Sequence, residues 1–303
     1  MIYDIVILTD CRYEKPEKTD WYIEQILLED GLVQKALEKK GLKVIRKSWD
    51  AKDFDWTQSR YAIFRSTWDY FDRFGEFFSW FEKTRKVLEF INCPEIIYWN
   101  LDKHYLNDLK QSNINIPPTI FIEKGEQQSL NALFKKTEWT KAVLKPAIAG
   151  AARETFLIKK EEHLNYEKEL QRLIKKEAML FQEFQHQIQS KGEMSLMMIN
   201  GKFTHAVLKK AKAGDFRVQD DFGGTVVDYV PNKEEITFAE KAIAACPKKT
   251  TYGRVDVFYD NDNRLSLGEL ELIEPELWFR KHTTAADKLA DKIFMQIQHN
   301  IRS

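Results

Sequence analysis

Gly253–Leu277 reads GRVDVFYDNDNRLSLGELELIEPEL, and its periodicity decides what the rest of the chain must support. Val255, Val257 and Tyr259 alternate with Asp256, Phe258 and Asp260, an Asn-Asp-Asn turn follows, and Leu267–Ile273 extends again, the pattern of a hairpin. Successive strand side chains point to opposite faces, so Glu269 and Glu271 share one face while Asp256 projects from the neighbouring strand. Three carboxylates therefore converge, and they cannot all stay ionised a few ångströms apart unless something cancels the charge. A hard cation does so. Mg²⁺ takes oxygen ligands, commonly one or two carboxylates plus substrate phosphates, so the stretch suggests a nucleotide–metal site. The competing reading is a solvated sheet face.

The chain has 303 residues, 43% hydrophobic and 13% aromatic, enough to bury a sizeable core in two or three lobes. Basic and acidic residues balance at 47 each, so no global field favours nucleic acid or an anionic membrane, and any phosphate site must be local. MIYDIVILTD carries Asp4 and Asp10 and lacks a basic leader, so it reads as a first strand rather than a signal peptide; no run is long enough to span a bilayer. Cys11, Cys93 and Cys246 are scattered, which fits reduced thiols in a cytoplasm better than a disulfide framework or a zinc site.

Working outward to the N-terminus, Ile2–Leu8 reads as a buried strand, residues from about Tyr22 to Lys40 as a helix, and Leu42–Arg46 and Tyr61–Phe64 as further strands. That order predicts an α/β fold opening with a doubly wound parallel sheet. Arg65, Ser66, Asp69 and Tyr70 follow at the carboxyl end of that sheet, where such folds bind ligands, and are candidate substrate contacts, Arg65 for a carboxylate and Asp69 for an amine. Packing of aromatic residues against the sheet is the alternative for this loop and the preferred reading after Gly75.

Pro94 and the pair Pro117-Pro118 mark a boundary, with a new lobe starting near Trp99. Strands are expected at Thr119–Ile122 and Lys141–Leu144. Lys145 then stands before the small residues Ala147, Ala149, Gly150, Ala151 and Ala152, whose lack of bulk lets backbone N–H groups approach phosphate oxygens. Lys160–Lys176 reads as a charged, solvated helix. In AMLFQEF, Gln182, Glu183 and Phe184 form a strand whose backbone suits a purine edge. A hairpin turning at Asn200-Gly201 follows, and then Lys209, Lys210, Lys212 and Arg217, candidates for neutralising phosphate charge.

Taken in order, Lys103, Lys145 with its small-residue loop, QEF, KKAKAGDFRVQDDFGGT, RVD and ELEL before IEP resemble the ATP-grasp superfamily from about Trp99 to the C-terminus. KKAKAGDFRVQDDFGGT is similar to the corresponding loop of the ribosomal-protein S6 glutamate ligases, and ELELIEP lies where glutathione synthetase has its metal-binding strand. RSTWDY, VLKPA, GDFRVQ and ELELIEP together resemble most closely the O-ureido-serine cyclo-ligase family of cycloserine biosynthesis.

The resemblance implies residues 1–98 as a substrate domain, 99–184 as the small ATP-grasp lobe and 185–303 as the lobe with the metal site, the two lobes clamping ATP. It implies that Lys103 and Lys145 contact the nucleotide phosphates, that Gln182–Phe184 holds adenine through its backbone, that Glu193 contacts ribose or substrate, and that Arg217 stabilises the transferring phosphate. Asp256, Glu269 and Glu271 become ligands of Mg²⁺ or Mn²⁺, Glu271 standing where the family commonly has Asn. The implied activity is an ATP-dependent carboxylate–amine ligase working through an acyl phosphate on a small amino-acid-like substrate, and a homo-oligomer is compatible with it. The alternatives are intramolecular cyclisation, amino-acid addition to a protein, and a non-catalytic ATP-binding module.

Overall fold

The computed structural model describes residues 1–212 and 223–302 and contains three sheets. The first joins β1 (Tyr3–Thr9), β2 (Val44–Ser48), β3 (Ser59–Ser66) and β4 (Glu89–Ile91), all parallel, in the order β2-β1-β3-β4. Ile5, Val6, Ile7 and Leu8 are all fully buried, because crossover helices cover both faces of a parallel sheet. Ile5 and Ile7 face Val33, Ala36 and Leu37 of the helix Trp21–Lys39, whose N-terminus is capped by the Asp20 carboxylate accepting from Ile23 N at 2.8 Å. Val6 and Leu8 face Phe77 and Phe81 of the helix Phe74–Thr84. Of the aromatic run after Gly75, Phe77 and Phe81 are therefore core, Trp80 packs against them partly buried, and Phe78 is exposed.

The second sheet is antiparallel: β5 (Thr119–Ile122), β6 (Lys141–Pro146), β7 (Phe156–Lys159) and β8 (Met179–Glu183), in the order β5-β8-β6-β7. The charged stretch beside it differs from the sequence expectation. It is a 3-10 turn at Lys160–Asn165 and then a short helix, Glu167–Ile174, whose Leu170, Leu173 and Ile174 are buried against the sheet. Three apolar side chains at helical spacing are enough to dock it despite the charges on its other faces.

The third sheet runs β11-β10-β9-β12-β13, also antiparallel, from β9 (Glu193–Ile199), β10 (Lys202–Lys210), β11 (Thr225–Tyr229), β12 (Tyr252–Tyr259) and β13 (Leu265–Glu271). Asn200 and Gly201 make the β9–β10 turn with φ of +50° and +74°, the left-handed pair a two-residue hairpin requires. The C-terminal helix Thr284–Arg302 returns to the first sheet's helix Trp21–Lys39, burying Leu289, Ile293 and Ile297 in one core with Ile5, Ile7 and Met197. Among the described residues no helix is long and apolar enough to cross a membrane, and the three cysteines are unpaired.

Candidate active site

Antiparallel pairing sets Asp256 of β12 opposite Glu269 of β13 and Arg254 opposite Glu271. A bulge at this point takes up Gly268, where an added Cβ would lie 2.9 Å from the Phe258 ring and 3.1 Å from the Glu193 carboxylate. Asp256, Glu269 and Glu271 each present a carboxylate oxygen within 4.8 Å of the others. β13 is an edge strand, and side chains satisfy its outer backbone groups. Asn100 donates to Leu270 O at 2.8 Å and accepts from Leu272 N at 2.7 Å, the Tyr105 hydroxyl accepts from Leu270 N at 3.0 Å, and Asn92 donates to Leu272 O at 2.8 Å. The strand that carries the two glutamates is thereby held at Leu270 and Leu272, on either side of Glu271.

Three cations close on the trio. Arg254 donates to Asp256 at 2.9 Å and also pairs with Glu271. Lys209 of β10 lies 3.0 Å from Asp256 and 2.5 Å from Glu193, and Lys103 lies 3.0 Å from Glu269 and donates to Ala149 O at 2.5 Å. Ser195 adds a 2.6 Å hydrogen bond to Asp256. Burial opposes ionisation of Asp256, but Arg254 and Lys209 outweigh it and hold the carboxyl far below its ordinary value. Burial also pulls Lys209 down, and Asp256 and Glu193 more than restore it. Glu271 behaves oppositely: burial pushes it up to about 7, Arg254 opposing and Glu269 and Asp256 assisting. Lys145, near the end of β6, has no ion pair among the described residues, and burial lowers its pKa despite nearby Glu269. Arg254, Asn100, Tyr105 and Ser195 were not singled out from the sequence. Arg254 carried a readable signal, since its two-residue spacing from Asp256 puts both on one face of the strand.

Lys145, Gln182, Glu183, Phe184, Glu193 and Lys209 all line a cavity of about 260 Å³ whose floor is the carboxylate trio. The backbone N–H groups of Glu183 and Phe184 are already given to Pro118 O and Lys141 O, at 2.9 and 3.1 Å, and their carbonyls accept from Gln185 Nε2 at 3.2 Å and Asn261 Nδ2 at 3.0 Å, so the adenine-holding backbone expected of this segment is engaged within the protein. The Gln182 side chain is turned to Thr119 Oγ1, 2.8 Å away. The small-residue loop after Lys145 roofs the cavity, with Ala151, Ala152 and Glu154 at φ of +47°, +54° and +48°. Arg153 pairs with Glu177, and Arg172 with Glu154 at 2.8 Å, anchoring its far end. Arg217 lies outside the described residues.

The loop Arg65–Tyr70 differs from expectation. Arg65 and Ser66 still belong to β3 and are 3% and 2% exposed. Ser66 Oγ donates to Asp30 at 2.7 Å and meets Thr9 Oγ1 at 2.7 Å, while Arg65 donates to Pro275 O at 3.1 Å. The carboxyl end of this sheet is thus filled by the protein's own polar network. Asp69 accepts from Trp49 Nε1 at 2.7 Å and from Arg73 at 3.0 Å. Only Tyr70 of the four lines the cavity over the carboxylates, and Trp68 and Phe71 line a second cavity of about 340 Å³ beside it. An added Cβ on Gly150 would fall 2.5 Å from the Phe71 ring, so the small-residue loop rests directly on the N-terminal unit.

Residues 107–252 match the family model for the ATP-grasp domain of prokaryotic glutathione synthetase, and residues 5–92 match that for the N-terminal domain of the D-cycloserine synthetase DcsG. The chain belongs to the ATP-grasp ligases. The cycloserine biosynthesis protein DcsG of Streptomyces lavendulae is 24% identical to it over 249 residues, 76% of this chain and 80% of that protein. The crystal structure of D-cycloserine synthetase DcsG superposes on this ligase with a TM-score of 0.84 at 22% identity, covering 97% of this chain and 99% of that one. D-alanine–D-alanine ligase from Bacillus anthracis superposes at 0.65, 15% identical and covering 98% of each chain. The ATP-grasp match stops at the start of β12, so the carboxylate strands are placed by the fold alone.

Proposed function

We propose that this ligase joins a carboxylate to an amine on a small amino-acid-like substrate through an acyl phosphate, releasing ADP and phosphate. The observation that carries the reading is the cleft floor: three convergent carboxylates with Lys103 on one of them and, beside them, Lys145 with no ion pair among the described residues. An all-oxygen donor set of this kind fits a divalent cation such as Mg²⁺ or Mn²⁺, which Asp256, Glu269 and Glu271 would hold. Bound there, the ion would offset charge on phosphate oxygens. Lys145, without an ion pair among the described residues, would meet the outer phosphates, and Lys103 ties the phosphate loop to Glu269 through Ala149. In this reading residues 1–98 supply the substrate-binding walls, and 99–184 and 185–303 the two nucleotide lobes.

A substrate carboxylate oxygen attacks the γ-phosphorus, the bond to the bridging oxygen breaks, and ADP leaves. The amine then adds to the acyl carbon, loses a proton and expels phosphate. Positioning and charge neutralisation do the work, with no side-chain nucleophile. The likeness to the cycloserine protein favours an intramolecular version of the second step, with carboxylate and amine in one molecule. A screen of amino acids and small carboxylates for Mg²⁺-dependent nucleotide turnover tests the reading, with hydroxylamine to trap the intermediate. ADP and a hydroxamate are expected; stoichiometric AMP would overturn the assignment.

A further inference from the structure

Two cavities meet at the end of β13, and Glu274 belongs to the wall of both. Around this junction Glu193, Asp256, Glu269, Glu271 and Glu276 each have a lysine or arginine at ion-pair distance. Glu274 has none among the described residues, and it stands apart from the convergent trio. Burial and the neighbouring Glu271 push its carboxyl up to about 8, and the buried Tyr70 beside it acts in the opposite direction. Its backbone is fastened on both sides, Glu274 O accepting from Trp68 Nε1 at 2.9 Å and Pro275 O from Arg65 at 3.1 Å. The carboxyl group is therefore positioned and, among the described residues, without a compensating cation. The second cavity continues away from it between aromatic walls, Trp68 lying 6.1 Å from Tyr13 and 6.4 Å from Tyr22 between ring centroids.

A half-buried carboxylate with no cation beside it is costly, and an aromatic wall attracts positive charge. We infer that Glu274 is a specificity-determining residue that anchors an ammonium group of the substrate, with Tyr70 orienting it and Tyr13, Tyr22 and Trp68 enclosing the adjoining carbons. The inference rests on the ligase reading and adds that the amino-acid-like substrate enters this cavity carrying a positive charge. That charge is recognised and unchanged by the reaction.

Saturation-transfer NMR on the full chain with ADP tests it, using propylammonium and ethanolamine as probes and propanol and ethylene glycol as uncharged isosteres. Wild type is expected to prefer the ammonium probes by about tenfold, the scale of one charge-assisted hydrogen bond. Glu274→Gln should abolish the preference, and Tyr70→Phe, which leaves the carboxylate in place, should weaken it. Both variants should still bind ADP, which reports that they are folded. An equal preference in Glu274→Gln, or none in wild type, overturns the assignment. If wild type also fails to release ADP with any carboxylate, the ligase reading falls instead.

Discussion

Asp256 is the residue on which the site's electrostatics turn, since two buried cations and Ser195 share its carboxylate. Asp256→Asn should lower turnover by on the order of 10²-fold or more and cost about 3 kcal/mol of stability, because Lys209 and Arg254 lose a buried partner. Glu269→Gln should cost as much activity but less stability, as Glu269 is one-third exposed and Lys103 keeps its bond to Ala149 O. Denaturant titration and steady-state rates on both variants check the ordering; equal destabilisation would contradict it. His205 provides a pH signature away from the site. Burial pushes it from 6.5 down to about 4, only partly opposed by its hydrogen bond to Leu277 O. The unfolded chain takes up a proton as pH falls through 6.5, while the folded one does so only near 4. This contribution to stability is complete above pH 6.5 and lost progressively below it. Urea midpoints at pH 7 and pH 5 should therefore fall further apart in wild type than in His205→Gln.

The element that most needs its exact geometry is the loop between β6 and β7. Left-handed backbone at two alanines and a glutamate costs energy that neighbouring contacts must offset, here the Arg153–Glu177 and Arg172–Glu154 pairs and the seat of Gly150 on Phe71. Nucleotide under the loop should hold it further, so tryptic cleavage after Arg153 should slow with ATP and Mg²⁺ present; unchanged cleavage would count against a phosphate-binding role. Gly150→Ala should displace the Phe71 ring and raise KM for both nucleotide and acceptor several-fold, with Phe71→Leu restoring part of the loss. A KM effect on nucleotide alone would show that the contact does not couple the two cavities.

For the whole molecule, the C-terminal helix matters most, because it seals the first sheet's helix against the third sheet. Leu289→Ala should cost about 3 kcal/mol, and calorimetry should show one cooperative transition shifted as a unit. A separate early transition would show the helix to be an independent appendage.

The sequence alone determined the elements and the chemistry they carry. Strict alternation placed Glu269 and Glu271 on one face, apolar runs marked the parallel strands, Asn200-Gly201 specified a turn, and the order of Lys103, Lys145 and ELEL resembled ATP-grasp enzymes, because these signals act over a few residues or by order along the chain. Which side chains finish as partners was decided by tertiary structure. Arg65 and Ser66 are consumed by Asp30, Thr9 and Pro275, and Asn92, Asn100 and Tyr105 cap the open edge of β13 from more than a hundred residues away. Glu274 stands where two cavities join, with no lysine or arginine at ion-pair distance among the described residues. Periodicity reports the face on which a group lies, whereas compensation of its charge depends on which distant strand packs there, and only the assembled fold supplies that.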